Sequence, residues 1–184
     1  MNEGLPPSRR SAVAPFLAMD VLSAAGRLER AGAQIVHMEV GEPGAPTPRL
    51  VREAAQRALE AGRIGYTEAL GRASLRARIA RHYRDAYGVE IAADRIAVTT
   101  GSSAGFVLAL LALFDPGARV AVSAPGYPAY RNIFQALGLE AAPLETNAAT
   151  GWRVTAAMIE AAHARQPLNG VLLMSPANPT GTMM

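Results

Sequence analysis

The chain has 184 residues, half of them hydrophobic, and a formal net charge of +3. That is enough to bury one core, and one domain is the default. No apolar run approaches the roughly 18 residues of a membrane span, Met1 to Arg10 predicts no secretion signal, and the absence of cysteine rules out disulfides and thiolate metal sites and fits a cytoplasmic protein.

All 18 basic residues are arginine, and there is no lysine. The densest basic run is Arg72, Arg76, Arg78, Arg81 and Arg84. These positions fall around more than one helix face with no aromatic ladder for bases, so the run reads as a solvated helix surface rather than a nucleic-acid patch. His37, His82 and His163 have no metal-ligand spacing and read as structural.

Residues 1–13 read as an unstructured lead-in. Ala14 to Ala31 carries Phe16, Leu17, Val21, Leu22 and Leu28 at a helical period and stops at Gly32. Ile35 to Val40 predicts a short strand, followed by a Gly- and Pro-rich crossing at residues 41–46. Taken locally, that crossing is a linker or a place where backbone approaches a ligand closely. A helix starts with Pro48 at its first position and runs to Ala61, with Leu50, Val51, Ala54 and Ala58 inward. Residues 64–71 are extended, and Ser74 to Tyr87 is helical, with Gly88 as its stop.

Ile96 to Thr100 is β-branched and apolar and predicts a buried strand. Gly101, Ser102 and Ser103 then supply a turn and a hydroxyl N-cap for an apolar helix over Ala104 to Phe114. A strand that breaks into a helix there leaves unpaired N–H groups and the positive end of a helix dipole facing one spot, where an anion can sit. Neither the Gly-Lys-Ser/Thr phosphate loop nor the G-x-G-x-x-G dinucleotide spacing is present.

From there the pattern is regular. Strands are predicted at Arg119 to Ser123, Leu139 to Leu144 and Gly170 to Met174, with helices at Ala129 to Leu137 and Thr155 to Arg165. This alternation means an α/β fold with a parallel sheet covered on both faces, whose ligands bind beyond the carboxyl ends of the strands. Three loops at such ends carry unusual residues: Gly101 to Ser103, Gly126-Tyr127, and Ser175-Pro176-Ala177-Asn178-Pro179-Thr180-Gly181.

The last of these resembles the loop of the class I/II aminotransferases, the fold-type I enzymes that use pyridoxal 5'-phosphate (PLP). The other loops follow that family's order and spacing from about Ala14 onward. The resemblance implies a mostly parallel sheet sandwiched by helices and incomplete in this chain. Residues 1–44 would be an N-terminal arm and small-domain segment, and 45–184 the first part of the large PLP-binding domain.

By the same resemblance, Gly101, Ser102 and Ser103 form the phosphate cup and Tyr127 stacks on the pyridine. Asn178 donates to the cofactor's phenolic oxygen. Tyr66, followed by Gly71 and Leu75-Arg76, reaches the phosphate of a neighbouring subunit, which implies a homodimer. Gly41 lies against the substrate carboxylate. The implied activity moves an amino group between an α-amino acid and a 2-oxo acid, with neither nucleic acid, membrane nor metal involved.

The family's Schiff-base lysine, pyridine-nitrogen carboxylate and carboxylate-binding arginine have no counterparts here. The chain therefore reads as the N-terminal part of a longer enzyme, inactive alone and exposing apolar strand edges. The alternatives are a lyase or synthase of the same fold, a truncated non-catalytic PLP-binding module, and a doubly wound nucleotide-binding protein.

Overall fold

The computed structural model describes residues 6–184, so the first five residues of the expected lead-in lie outside the described residues. In chain order the elements are α1 (Leu17–Arg30), α2 (Arg49–Glu60), α3 (Ala73–Tyr87), α4 (Ser102–Leu113), β1 (Arg119–Ala124), α5 (Ala129–Leu137), β2 (Glu140–Glu145), α6 (Ala156–Arg165) and β3 (Gly170–Leu172). The lead-in also holds a short 3-10 turn at Arg9–Ser11. The residues group into two compact units. One joins residues up to Glu39 with Gly105–Met184, and the other is Val40–Ala104.

The first unit is built on a parallel three-stranded sheet of order β2-β1-β3. Val120 of β1 stands opposite Ala141 on one side and Gly170 on the other. As the alternating pattern predicts, each strand-to-strand connection carries a helix, α5 between β1 and β2 and α6 between β2 and β3. β1 is central, and its Val120, Ala121 and Val122 are all buried. Alternation of side chains across the strand then divides the core in two. Val120 and Val122 pack with Leu110, Tyr130, Phe134 and Leu139 on one face. Ala121 packs with Ala142, Leu144 and Ala162 on the other.

Helix ends follow the local chemistry. α5 stops at Gly138, which takes the left-handed conformation (φ 73°) that a side chain resists. α6 starts at Thr155, whose hydroxyl accepts a hydrogen bond from the Met158 amide at 3.3 Å. Gly170 is required for a different reason, since a Cβ there would lie 2.5 Å from the Phe114 ring. A residue larger than glycine would push β3 away from the helix side of the core.

Several expected elements do not form. Ile35 to Val40 is not a strand, and neither is Ile96 to Thr100. The second segment is extended at Ile96 (φ −110°, ψ 124°), and the Val98 amide donates to the Leu70 carbonyl at 3.0 Å. β propensity makes a strand only where a neighbouring strand completes the ladder, and among the described residues no strand pairs with it. α4 begins at Ser102 rather than Ala104, so both serines are inside the helix instead of capping it. α2 begins at Arg49, with Pro48 just outside as its cap residue.

The inward face expected for α2 is also exposed. Leu50 and Val51 are both open to solvent, and α2 contains no buried residue. The arginine run divides: Arg78, Arg81 and Arg84 are exposed as expected, but Arg76 is partly buried. Its Nε donates to the Gly71 carbonyl at 3.1 Å and its Nη1 to the Ala93 carbonyl at 3.0 Å. It ties the start of α3 to the turn preceding Ile96 and is not a solvated surface group.

Candidate functional site

The carboxyl ends of the adjacent strands β1 and β3 carry two of the sequence-predicted site residues. β1 ends at Ala124 and runs through a cis Ala124–Pro125 bond and Gly126 into Tyr127. β3 runs through Leu173 and Met174 into the turn that holds Asn178, with cis bonds at Ser175–Pro176 and Asn178–Pro179. Parallel pairing puts both turns on the same edge of the sheet.

Tyr127 is half-buried in a line of edge-to-face rings. Its ring centroid lies 5.3 Å from that of Tyr130 at 80° and 6.3 Å from that of Phe16 at 72°. Tyr130 in turn meets Phe106 at 4.8 Å and 68°. Edge-to-face pairs favour these separations because the positive ring edge meets the negative face of its neighbour. Burial pushes the Tyr130 phenol above its ordinary pKa, with Tyr127 adding to the shift. The Tyr130 hydroxyl stays protonated and reaches the Met174 sulfur at 3.5 Å.

Phe16 is placed by amides of α5. Asn132 Nδ2 donates to the Ala14 carbonyl at 2.6 Å, and Gln135 Nε2 donates to the Ala12 carbonyl at 2.7 Å. Gln135 Oε1 accepts from the Ala14 amide at 3.2 Å. The end of the expected lead-in, at Ala12, and the first residues of the expected helix, which begins only at Leu17, are therefore clamped, and Phe16 meets the Tyr127 ring. Phe16 and Tyr130 were not recognisable as site residues from the sequence. The only signal was the i, i+3 spacing of Tyr127 and Tyr130.

Asn178 is exposed and sits in a closed turn. The Gly181 amide donates to the Ala177 carbonyl at 2.7 Å, and the Ala177 amide donates to the Thr182 carbonyl at 2.8 Å. Gly181 closes the turn at φ 68°, a conformation glycine adopts freely. Among the described residues, the Asn178 side-chain amide makes no hydrogen bond to the protein.

The remaining predicted residues belong to the Val40–Ala104 unit. Gly101 has φ 86°, and Ser102 and Ser103 open α4, whose first turn contains no acidic side chain. All three are exposed. The first four N–H groups of a helix have no intrahelical partner, so this turn presents donors to an anion. Tyr66 is fully exposed and lines an open groove formed by residues 62–68 and Arg72. Gly41 is exposed and directly follows a bend at residues 39–40. Thus Tyr127 and Asn178 lie on turns at the same end of the sheet, while Gly101, Ser102, Ser103, Tyr66 and Gly41 belong to the other unit. Among the described residues no group of three or more acidic or histidine side chains could hold a metal ion, and no helix is long and apolar enough to cross a membrane.

A parallel sheet with a helix in each strand-to-strand connection defines an α/β protein. The family model for class I and II aminotransferases matches residues 33–184. The chain belongs to that family. It is 45% identical over 175 residues to a valine–pyruvate aminotransferase of Mycobacterium tuberculosis, covering 95% of this chain and 45% of the relative. It is 33% identical to a (5-formylfuran-3-yl)methyl phosphate transaminase of Methanocaldococcus jannaschii, covering 92% of this chain and 43% of that one. Among solved structures, an aminotransferase from Mycobacterium tuberculosis superposes with a TM-score of 0.90 at 44% identity, covering 98% of this chain and 46% of its own length. The aspartate aminotransferase of Thermus thermophilus with maleate gives 0.87 at 30% identity over 95% and 46%. The chain spans about half the length of the relatives it matches.

Proposed function

We propose that this chain forms the PLP-binding part of an aminotransferase that moves an amino group between an α-amino acid and a 2-oxo acid. The observation that carries the reading is the shared carboxyl edge of β1 and β3, from which Tyr127 and Asn178 project in a chain of this family. The 45% identity to a valine–pyruvate aminotransferase makes valine and pyruvate the first pair to test.

The residues fit the cofactor. Its phosphate dianion suits the first turn of α4, which carries about half a positive charge from the helix dipole and no acidic side chain. The Tyr127 ring, held by Tyr130 and Phe16, offers a flat surface to a pyridine. The uncommitted Asn178 amide can donate to a phenolic oxygen, and a bond to a charged acceptor stabilises by about 1.5–3 kcal/mol. When bound, the cofactor supplies an electron sink for the pair left at the substrate Cα. Gly41 would lie against the substrate carboxylate, and Tyr66 would reach the phosphate site of a second copy in a cytoplasmic homodimer.

With no lysine in the sequence, no side chain here can hold the cofactor covalently through an amine. In this reading the lysine, the carboxylate facing the pyridine nitrogen and the substrate-binding arginine come from polypeptide outside these 184 residues. The chain alone would be inactive. The missing lysine also favours a second reading, a PLP-binding module without catalysis.

Absorbance titration of the full chain with PLP tests the site. Saturable binding weakened by both Tyr127→Ala and Asn178→Ala is expected. Binding indifferent to both substitutions would remove the assignment. Amino transfer from valine to pyruvate by the native protein then separates the aminotransferase from the non-catalytic module, and product analysis separates it from a lyase or synthase.

A further inference from the structure

We propose that residues 146–152 brace the Tyr127 turn against the Asn178 turn, and that Thr182 is the positioning residue that latches Asn178 to this brace. The inference rests on the cofactor roles proposed for Tyr127 and Asn178.

One end of the brace is fixed at β1. Thr146 is the buried polar residue of the described core. Its amide donates to the Ala124 carbonyl at 2.7 Å, and its hydroxyl donates to the same oxygen at 3.1 Å. Ala124 is the last residue before the Pro125-Gly126-Tyr127 turn, so the brace grips that turn at its root.

The middle is rigid on its own account. The Asn147 side chain accepts from the Ala149 amide at 2.9 Å and the Thr150 amide at 3.2 Å, while the Asn147 amide donates to the Thr150 hydroxyl oxygen at 3.0 Å. This reciprocal capping holds the 3-10 turn Ala148–Thr150. The Trp152 amide then donates back to the Asn147 carbonyl at 2.9 Å. Gly151 (φ 58°) and Trp152 (φ 59°) are both left-handed. A bulky residue adopts that conformation only when its surroundings impose it.

The far end is the latch. The Thr182 hydroxyl donates to the Trp152 carbonyl at 3.0 Å. A hydroxyl carries one proton, and Thr182 commits it there. The 2.9 Å contact between the Thr180 and Thr182 hydroxyls therefore has Thr180 as donor. The main-chain carbonyl of Thr182 also accepts from the Ala177 amide, which closes the turn around Asn178. Ala124, Thr146, Asn147, Trp152, Thr182 and Ala177 form one hydrogen-bonded path from the root of the Tyr127 turn to the start of the Asn178 turn.

The test compares Thr182→Val, which keeps the shape and loses the hydroxyl, with Thr182→Ser, which keeps the hydroxyl. Hydrogen exchange of the Ala177 and Gly181 amides in the full chain without cofactor is the first readout. Thr182→Val should lower their protection about fivefold, the equivalent of one hydrogen bond, and Thr182→Ser should restore it. Unchanged protection in Thr182→Val overturns the latch. The second readout is the apparent pKa of the phenol of added PLP, followed by absorbance. Asn178→Ala and Thr182→Val should both raise it, and Thr182→Ser should not. A shift in Asn178→Ala without one in Thr182→Val overturns the positioning role. No shift in Asn178→Ala overturns the cofactor reading of Asn178 and the positioning role with it, and the exchange result tells the two failures apart.

Discussion

A Cβ placed on Gly126 would lie 2.3 Å from the Ser123 carbonyl oxygen. The chain leaving β1 folds so tightly over its own backbone that only glycine can stand before Tyr127. Gly126→Ala should open this turn and cost about 1–3 kcal/mol, the usual penalty for forcing an atom into a filled space. Denaturant unfolding checks the cost. Tyr127 should move with the turn, so PLP affinity should fall in the same variant. An alanine variant of unchanged stability and affinity would contradict this account.

Phe134 is fully buried at the centre of the core on the α5 face of the sheet. Phe134→Ala removes a ring and leaves a cavity, a change that costs about 3–5 kcal/mol. That is a large share of the roughly 5–15 kcal/mol holding a domain together. We expect a strongly lowered melting temperature or loss of the folded state, measured by circular dichroism.

The N-terminal clamp predicts a local effect instead. Replacing Gln135 with alanine removes both of its bonds to the Ala12–Ala14 segment, and Phe16→Ala removes the ring from Tyr127. The aromatic pair contributes about 0.5–1.5 kcal/mol beyond burial. Limited proteolysis should cut before Leu17 faster in Gln135→Ala while the sheet stays intact. Equal cleavage rates would show that the amides do not hold this segment.

His37 lies between two carboxylates. Its Nδ1 meets Glu39 at 2.5 Å and its Nε2 meets Glu29 at 2.9 Å. These hydrogen bonds, Glu39 first, raise its pKa from 6.5 to about 9. The charged imidazole is favoured in the folded state, so its contribution is whole below pH 6.5 and fades as pH rises through about 9. The hydrogen bond from His37 is also the main cause that holds the Glu39 carboxyl below its ordinary value. The Glu39 contribution is present above the ordinary carboxylate range and is lost as pH falls through its lowered pKa. Unfolding of His37→Gln and wild type should converge above pH 9 and diverge below 6.5. The effect is small because the His37 and Glu29 side chains are open to solvent, which screens the charges. Curves that stay parallel across the whole range would rule it out.

β3 is an edge strand of three residues in which Val171 is exposed, as is Leu173 just after it, and Leu108, Leu111 and Leu113 of α4 are also open to solvent. An unprotected apolar edge invites pairing with another chain. By itself the 184-residue chain should self-associate, and sedimentation velocity would show it. A monomer with a cooperative melt would refute the prediction.

Much of the architecture was legible because periodicity and punctuation agreed. The bounds of α5, the end of α6 at Arg165 and the strand–helix alternation from Arg119 onward all match the fold. The turn holding Asn178 was legible as a motif, because Pro and Gly restrict its backbone wherever it lies. Ile96 to Thr100 misled because β propensity records a preference for a pleated surface, not the presence of a partner strand. α2 misled for the same reason: Leu50 and Val51 mark a face that could be buried, and nothing buries it.

Sequence alone therefore determined the kinds of elements from Arg119 onward, the family and the identity of the loops, since these depend on local preference and on order along the chain. It also determined that no lysine is available. Only the tertiary structure decided that Phe16 meets Tyr127, that Arg76 ties Gly71 to Ala93, and that Thr182 bonds the backbone of Trp152 thirty positions away. Each of these is a contact between segments distant in sequence. Such contacts depend on where folding brings groups within hydrogen-bond or van der Waals reach, and no local preference encodes that distance.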